Sequence, residues 1–549
     1  MDALKLKGLK KRFEQMREQQ QKNVAVWRDI SAFITPKRGD YTDDTPNQGK
    51  REDNKLIDVT PSLDLGILQS GMQGGMTSPS IPWFKLQVSD PELSVIPAVM
   101  KWTDEVKDRI SNVLSQSNLY NCLHGVYGEI AAFGIGALFI EDSWDKVINV
   151  NLLTAGQYYV SFERGGNPNA FGRNIWMSAE QIVSQFGSAA SESVKQAVNS
   201  DAPDTWFRIC QLICVDKDHE TRFPFLSVYW EDGKDSPLDV GGYEEFPVLA
   251  PRWEVRGSDY YGYGPGWMAL SESKSLQEMK KDYLTAQQLV IQPPVYGPSE
   301  LRSRRLNLFP GGMNYTDNDA ALKPIYQVNP DIPGQLAAIN ESRNIIHKIF
   351  FSDLFLMIAA SDNHNMTAFE VQVRQQEKLQ VLGPVIENLV HELLDPLIGR
   401  VFMIMNRRGM FPSPPQELFG HEIKVEYVSI LALAQKASGL GELNNLMGIV
   451  GHVAQMQPDV IDKIDGDAIV DQYIRTTNIP AAVIRSDDVV NDIRQQRAQQ
   501  AQQAQEMAAM QQMAATAKQG AGAAKDLNAM DMSGDNSLIN SLTGGVLGE

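Results

Sequence analysis

The chain has 549 residues, of which 43% are hydrophobic and 21% charged, and its formal net charge is −18. This composition is ordinary for a folded protein with several domains, and the acidic balance argues against a sequence-reading DNA-binding protein, because such proteins usually present a basic face to phosphate. The three cysteines, Cys122, Cys210 and Cys214, are too few for a disulfide framework and indicate a reducing compartment.

The N-terminal part of the chain is predicted to be helical. Residues 4–34 follow a helical pattern that Pro36 ends, and a second helix runs through SLDLGILQSGMQGGM, before a strand-like WFKLQV. Residues 92–133 contain further helix. The charged N-terminus lacks the apolar core of a signal peptide, and no run of about 18 apolar residues predicts a membrane span.

A β-rich region follows residue 133. Its short β-like runs, bounded by Gly, Asn, Asp and Pro, are ALFIED, VINVNLL, QYYVSFER, RNIWMS, WFRICQLICV and FLSVYWED. Ser178 and Gln181 have the spacing of a helix-starting capping box. Cys210 and Cys214 fall on one face of a predicted strand, and half-buried thiols are favoured over a metal pair because no second Cys or His pair lies nearby.

Two helices separated by an insert are predicted next. The first covers residues 267–290 and is stopped by Pro293 and Pro294, and the second covers residues 333–351. The insert contains the densest basic cluster in the middle of the chain: Arg302, Arg304 and Arg305. This cluster is either a solvated turn or a contact for phosphate or an acidic partner, and its position in a loop between helices favours a binding surface.

Residues 367–409 are predicted to form one very long helix with an apolar stripe along one face. Thr367 and Glu370 have capping-box spacing, and Gly409 stands where a helix usually stops. Pro384 and Pro396 lie inside this helix. Each removes a backbone donor at a cost of about 3 kcal/mol, so we predict a kink at each.

The C-terminal part is predicted to begin with a strand in EIKVEYV, followed by short helices to about residue 490. Residues 491–517 are rich in Gln, Ala and Met and favour a helix. Residues 518–549 are predicted to be disordered.

No catalytic, metal or cofactor site is predicted. GYGPGW lacks the Lys-Ser/Thr pair that would hold phosphate and magnesium, so it reads as a glycine turn entering a helix. His391 and Glu392 resemble half of a zinc-protease motif, but Asp395 stands where the second His is needed. The acids of residues 459–471 do not have EF-hand spacing around Gly466.

Four stretches together resemble the head-to-tail connector, or portal, proteins of short-tailed, T7-like bacteriophages. They are VWRDISAFITPKRG, LQSGMQGGMTSPSIPWFKL, RGSDYYGYGPGWMAL and MTAFEVQVRQQEKLQVLGPVIENLVHELLDPLIGRVFMIM. The resemblance extends from residue 27 to residue 405, and beyond Gly409 it rests on general layout only.

The resemblance implies an α+β, mainly helical portal fold, assembled as a ring of twelve copies at one capsid vertex of the virion. Double-stranded DNA would be packaged through the ring by the terminase large subunit and later ejected. The tail adaptor, the major capsid protein and the scaffold protein would be further partners, and assembly would take place in the host bacterial cytoplasm without a membrane. No enzyme activity is implied, since the motor is a separate protein.

The resemblance also implies a division into wing, stem, clip and crown. The expected parts are the wing (1–265), two stem helices (266–292 and 331–351), the clip (293–330), the channel loop (352–366), the long kinked helix of wing and crown (367–409), a wing strand with crown helices (410–490), a C-terminal helix that could form a barrel (491–517) and the disordered tail (518–549). The clip arginines would face terminase or the tail adaptor. Four residues of the channel loop would approach DNA: Asp362, Asn363, His364 and Asn365.

Two other functions are alternatives. A scaffold or other structural virion protein would form no fixed ring. A nucleic-acid-processing enzyme would need a phosphate loop and clustered carboxylates, and neither is recognisable in the sequence.

Overall fold

The protein is described from a computed structural model that divides into two compact units, Met1–Thr477 and Asn478–Glu549. The described residues are 3–36, 56–291 (without 81, 89, 91–92, 94–95, 201, 218–220 and 258), 295–296, 323–324, 331–359, 382–420, 423–427 and 487–530.

Helices make up most of the described residues of the first unit. They are α1 (Ala3–Phe33), α2 (Thr60–Met76), α3 (Pro97–Gln116), α4 (Leu119–Phe133), α5 (Ala179–Phe186), α6 (Glu192–Asn199), α7 (Pro265–Ile291), α8 (Ile332–Ile349), α9 (Ser352–Ala359), α10 (residues 382–389) and α11 (Asp395–Arg407). A π-helical turn, Val390–Leu394, joins α10 to α11, and short 3₁₀ turns lie at Gly187–Ala189 and Gln416–Leu418.

The strands form small antiparallel sheets. They are β1 (Phe84–Val88), β2 (Ala137–Ser143), β3 (Val147–Leu153), β4 (Tyr158–Phe162), β5 (Pro168–Ser178), β6 (Trp206–Val215), β7 (Phe225–Glu231), β8 (Pro237–Tyr243), β9 (Val248–Leu249), β10 (Val295–Tyr296), β11 (Lys323–Pro324) and β12 (Ile423–Tyr427). The sheet orders are β4-β5-β6-β7-β8, β3-β2-β9, β1-β12 and β10-β11. The mainly helical α+β composition predicted from the sequence is confirmed.

The five-stranded sheet is covered on both faces. Helix α1 packs Leu6, Phe13 and Met16 on one face, in the same apolar cluster as Cys210 and Cys214. The predicted common face of the two cysteines is thus confirmed, and burial raises the pKa of Cys210 to about 12 and also raises that of Cys214, which keeps both thiols protonated. Helices α5 and α6 cover the other face.

The start of α5 confirms the predicted capping box. The Ser178 side chain accepts a hydrogen bond from the Gln181 backbone N–H, and the Gln181 side chain accepts one from the Ser178 backbone N–H at 3.0 Å. Two N–H groups that the helix itself cannot satisfy are therefore bonded.

The largest core cluster joins the elements that surround the helix pair α7 and α8. It contains the fully buried Trp27 of α1, Leu68 of α2 and Tyr127 of α4, together with Leu276 of α7 and Ile346 of α8. The pair is therefore anchored in the main hydrophobic core.

The second unit contains one long helix, α12 (Asp487–Met530). This helix is longer than the predicted 491–517 and includes residues 518–530, which we expected to be disordered. Met507, Met510 and Met513 are exposed on it. Between residues 489 and 516 the described side chains of α12 are exposed or half-buried, and the high helix propensity of alanine and glutamine accounts for a helix of this kind.

Candidate functional site: the root of the helix pair

Two of the predicted site groups lie outside the described residues. These are the clip arginines, Arg302, Arg304 and Arg305, and the channel-loop residues Asp362, Asn363, His364 and Asn365. The predicted loop 352–366 differs from expectation at its start, because Ser352–Ala359 forms helix α9. The described part that adjoins both groups is the helix pair α7 and α8, with α9 after it.

The helix pair is buried at one end only. In α7 the buried residues all lie between Pro265 and Gln277, and none from residue 278 to residue 291 is buried. In α8 the buried residues are Ile339, Ser342 and Ile346, after an exposed first part. This is the burial pattern of an antiparallel pair whose root lies in the core and whose free ends carry the connecting segment.

Gln277 fixes the root of α7 to the segment that precedes α2. Its Oε1 accepts hydrogen bonds from the backbone N–H groups of Ile57 at 2.7 Å and Asp58 at 2.8 Å, and its Nε2 donates to the Asp58 carbonyl oxygen at 2.8 Å. Gln277 is buried and so are its two bonds to Asp58, which satisfy polar groups inside the fold, whereas the bond from Ile57 is part-buried.

Asp58 ties the same segment to α8. Arg343 donates to its carboxylate from Nη2 at 2.6 Å and from Nε at 3.2 Å, and Thr60 donates from its hydroxyl at 2.6 Å and its backbone N–H at 3.1 Å. Burial alone raises the pKa of Asp58, but the hydrogen bonds from Thr60 and Arg343 outweigh it, so the pKa lies below its ordinary value. The carboxylate is therefore ionised at neutral pH.

A second buried carboxylate joins α2 to α8. Asp64 is 1% exposed, and its Oδ1 lies 2.8 Å from Nδ1 of His347. Burial raises the pKa of Asp64, and the bond to His347 offsets this only in part. Ser342 donates to Glu272 at 2.6 Å, which adds a direct bond between α7 and α8. We call Gln277, Asp58, Arg343, Asp64 and His347 the root network.

The first turn of α7 is held against the end of α4. The Phe133 carbonyl oxygen accepts two indole N–H groups, from Trp267 of α7 at 2.8 Å and from Trp27 of α1 at 3.3 Å. Gly134 has φ +89°, and a Cβ on Gly266 would overlap the Ala132 carbonyl oxygen. The glycines of GYGPGW therefore permit close backbone approach, as predicted for a turn entering a helix.

The junction between α8 and α9 contains a left-handed aromatic residue. Phe351 has φ +55°, which is unfavourable for a residue with a Cβ, and its ring stacks on Trp253 with centroids 6.5 Å apart. One turn later the Phe355 ring lies directly against Gly71 of α2, where a side chain would collide with it. Packing on both sides of the junction thus fixes the direction in which α9 leaves α8.

The described part of the long helix accommodates Pro396 by a change of hydrogen-bond register. The Asp395 N–H bonds to the Val390 carbonyl oxygen in the π-helical turn, and Pro396 then occupies the first turn of α11, where no N–H is needed. Pro384 lies in α10. The predicted kinks at both prolines stay predictions, whereas Gly409 follows the end of α11 with φ +64°, as expected for a helix stop.

Glu392 proves to be one half of a buried ion pair. It accepts hydrogen bonds from the Arg252 backbone N–H at 2.9 Å and from Arg252 Nε at 3.1 Å, and both side chains are largely buried. This contact gives Glu392 a structural role.

The described residues contain no grouping of three or more His, Cys, Asp or Glu that could hold a metal ion. Over the same residues, no helix combines the length and the apolar character needed to cross a bilayer.

Comparison with known proteins decides the family. The family model described as "Bacteriophage head to tail connecting protein" matches residues 6–484. The chain belongs to this connector family. The match includes the whole root network and ends before α12 begins.

Two curated relatives support the assignment. The portal protein of Salmonella phage epsilon15 is 35% identical over 505 residues, which cover 90% of this chain and 91% of that protein. The probable portal protein of Bordetella phage BPP-1 is 35% identical over 544 residues and 97% of each chain. A solved structure, "Neck of empty GTA particle computed with C6 symmetry", matches with a TM-score of 0.34 and 12% identity over 70% of this chain and 85% of its own.

The root network has no signature in the sequence, because its residues come from three separate segments of the chain and follow no sequence motif. One signal was available: Gln277 follows the apolar Leu276 on the same helical face as Ala269 and Ser273, and a polar residue at a core position requires a partner.

Proposed function

We propose that this chain is a portal protein whose copies form a ring at one vertex of a phage capsid. Double-stranded DNA passes through the ring during packaging and ejection. The observation that carries the proposal is the near full-length similarity to two portal proteins, 91% and 97% of which the chain covers. A match of this extent leaves little of either relative outside the comparison.

The ring consists of twelve copies and forms a hub for other proteins. In this proposal the terminase large subunit docks on the ring to drive packaging, and the tail adaptor binds after packaging. The major capsid and scaffold proteins hold the ring at the vertex during assembly in the host cytoplasm. The chain itself contributes no catalysis, because terminase supplies the energy.

The helix pair supports the assignment of a stem. A stem crosses between two functional levels of the ring, so it must be held firmly at one end and must carry a separate segment at the other. The one-sided burial of α7 and α8 and the root network have this character. We assign residues 266–292 and 331–351 to the stem and 293–330 to the clip, with Arg302, Arg304 and Arg305 facing terminase or the adaptor.

The remaining parts follow the same division. Residues 1–265 form the wing, the channel loop after α9 brings Asp362, Asn363, His364 and Asn365 close to DNA, and residues 367–409 link the channel to the wing. Residues 410–490 supply the wing strand and the crown. Copies of α12 pack side by side as a barrel.

The net charge fits a conduit for DNA. Contacts between basic side chains and phosphates release counterions from DNA and hold it tightly, and the net charge of −18 on each of twelve chains disfavours such contacts. DNA therefore stays mobile inside such a ring, as passage in both directions requires.

Negative-stain electron microscopy of the purified full chain tests the proposal. We expect rings with a central hole and no ATPase activity of the chain alone, with or without DNA. Monomers, or fibres without a hole, would contradict the portal function and favour a scaffold or other virion protein.

A further inference from the structure

Helix α2 presents an uncharged stripe on the side that faces away from the core. The residues of this α2 stripe recur every three or four positions, so they share one helical face: Val59, Leu63, Gly66, Ser70 and Gly74. Among the described residues they are exposed or half-buried, with Val59 55% and Leu63 62% exposed. The stripe is about 22 Å long at 1.5 Å per residue.

The stripe contains no ionisable side chain. Between residues 59 and 76 the one ionisable residue is Asp64, which is buried, lies outside the stripe and contacts His347. An exposed helix face normally carries charged residues. A helix that keeps a charge-free outer face is therefore built for contact with something other than water.

Two glycines of the stripe have no explanation within the described chain. A Cβ on Gly71 would collide with Phe355, so that glycine is required by an internal contact. A Cβ on Gly66 or Gly74 would meet no atom within 4 Å. Glycine weakens a helix interior, and its usual compensation is close approach of another backbone.

The charge of the chain points to the identity of the partner. Two copies of a chain with net charge −18 repel each other, and a contact that buries unpaired carboxylates adds a desolvation cost. Identical copies therefore associate most easily through surfaces that carry no charge. The α2 stripe is such a surface, with apolar side chains at one end and small residues at the other.

We propose that the α2 stripe is a contact surface for a second copy of this chain. A backbone segment of the neighbouring copy packs on Gly66, Ser70 and Gly74, while Val59 and Leu63 fill the adjoining space. In a ring the contact is head to tail, so the neighbour uses a different part of its surface. The inference rests on the proposed function, because ring assembly supplies the need for such a contact.

The test is the double variant Gly66→Gln/Gly74→Gln in the full chain. Its matched control is Gly8→Gln/Gly399→Gln, because these two glycines are exposed in helices and, like Gly66 and Gly74, have no atom within 4 Å of an added Cβ. Glutamine raises helix propensity at all four positions. In analytical ultracentrifugation we expect the fraction of the α2 variant that sediments as rings to be at least tenfold smaller than that of the wild type. The control should assemble like the wild type, and circular dichroism should show that both variants are folded.

The outcomes separate this inference from the proposed function. Wild-type protein without rings would contradict the proposed function and remove the basis of the inference. Equal assembly of wild type and α2 variant would overturn the inference alone. A melting temperature of the α2 variant monomer well below that of the control would also overturn the inference, because the stripe would then be covered within its own chain. Loss of rings in both double variants would overturn it as well.

Discussion

Replacing Gln277 by alanine tests whether the root network holds the segment before α2. The substitution removes three hydrogen bonds and leaves the Ile57 and Asp58 N–H groups and the Asp58 carbonyl without their partner. A net hydrogen bond contributes about 1 kcal/mol, and an orphaned buried group costs about 1–3 kcal/mol. We expect local opening of residues 57–58 to become easier by about 2–3 kcal/mol, which corresponds to about 30- to 150-fold faster amide exchange.

Hydrogen exchange read by mass spectrometry measures this directly, in the regime where the opening equilibrium sets the rate. Gln288→Ala on the same helix is the control, because Gln288 is exposed and its truncation should change stability by no more than about 0.5 kcal/mol. Unchanged exchange of residues 57–58 in Gln277→Ala would refute the reasoning. Equal acceleration in both variants would show a general effect on α7 and no specific role of Gln277.

Three further predictions concern charged groups. The folded-state pKa of Asp58 lies below the ordinary 3.8, so its carboxylate stabilises the fold above that pH. The difference in free energy of unfolding between wild type and Asp58→Asn should be constant at higher pH and should shrink as the pH falls below 3.8. Urea titrations at several pH values measure this difference, and the absence of a decrease would contradict the prediction. Glu392→Gln should lower the free energy of unfolding by about 3 kcal/mol, because it leaves Arg252 buried without its counter-ion. In the same denaturant assay, the control His391→Gln at an exposed neighbouring position should change the free energy of unfolding by less than about 0.5 kcal/mol. Similar losses of stability in the two variants would count against a stabilising role of the ion pair. Changing the three clip arginines to Glu should leave rings intact in micrographs but abolish terminase or adaptor binding in pull-downs, and normal packaging with normal tail attachment would argue against their placement.

Local patterns in the sequence predicted the described elements well. Helical patterns located α1, α2, α7 and α8, and short β-like runs bounded by turn-forming residues located the longer strands, because both signals depend on local sequence alone. The capping box at Ser178 and the common face of Cys210 and Cys214 were predicted for the same reason.

Contacts between distant segments were not predictable in this way. Asp58 lies 219 residues before Gln277 and 285 residues before Arg343, and a single sequence contains no record of which polar groups meet. The π-helical turn before Pro396 was also not predicted, because a proline indicates a disturbed helix but does not specify how the backbone adjusts to the missing N–H. The predicted clip and channel-loop residues rest on the family resemblance alone.

Because the helix pair is buried at one end only, its free end can be displaced sideways by a rotation about the buried end. From residue 278 to residue 291 helix α7 extends about 20 Å beyond its buried part. By that length, a sideways displacement of about 2 Å at Ile291 requires a rotation of about 6° at the root. The bending moment then acts on Gln277 and Arg343, and both transmit it to Asp58 in front of α2. Such a rotation strains the hydrogen bonds of Gln277 and Arg343 to Asp58, and Gln277 is the last buried residue of α7 before its free end.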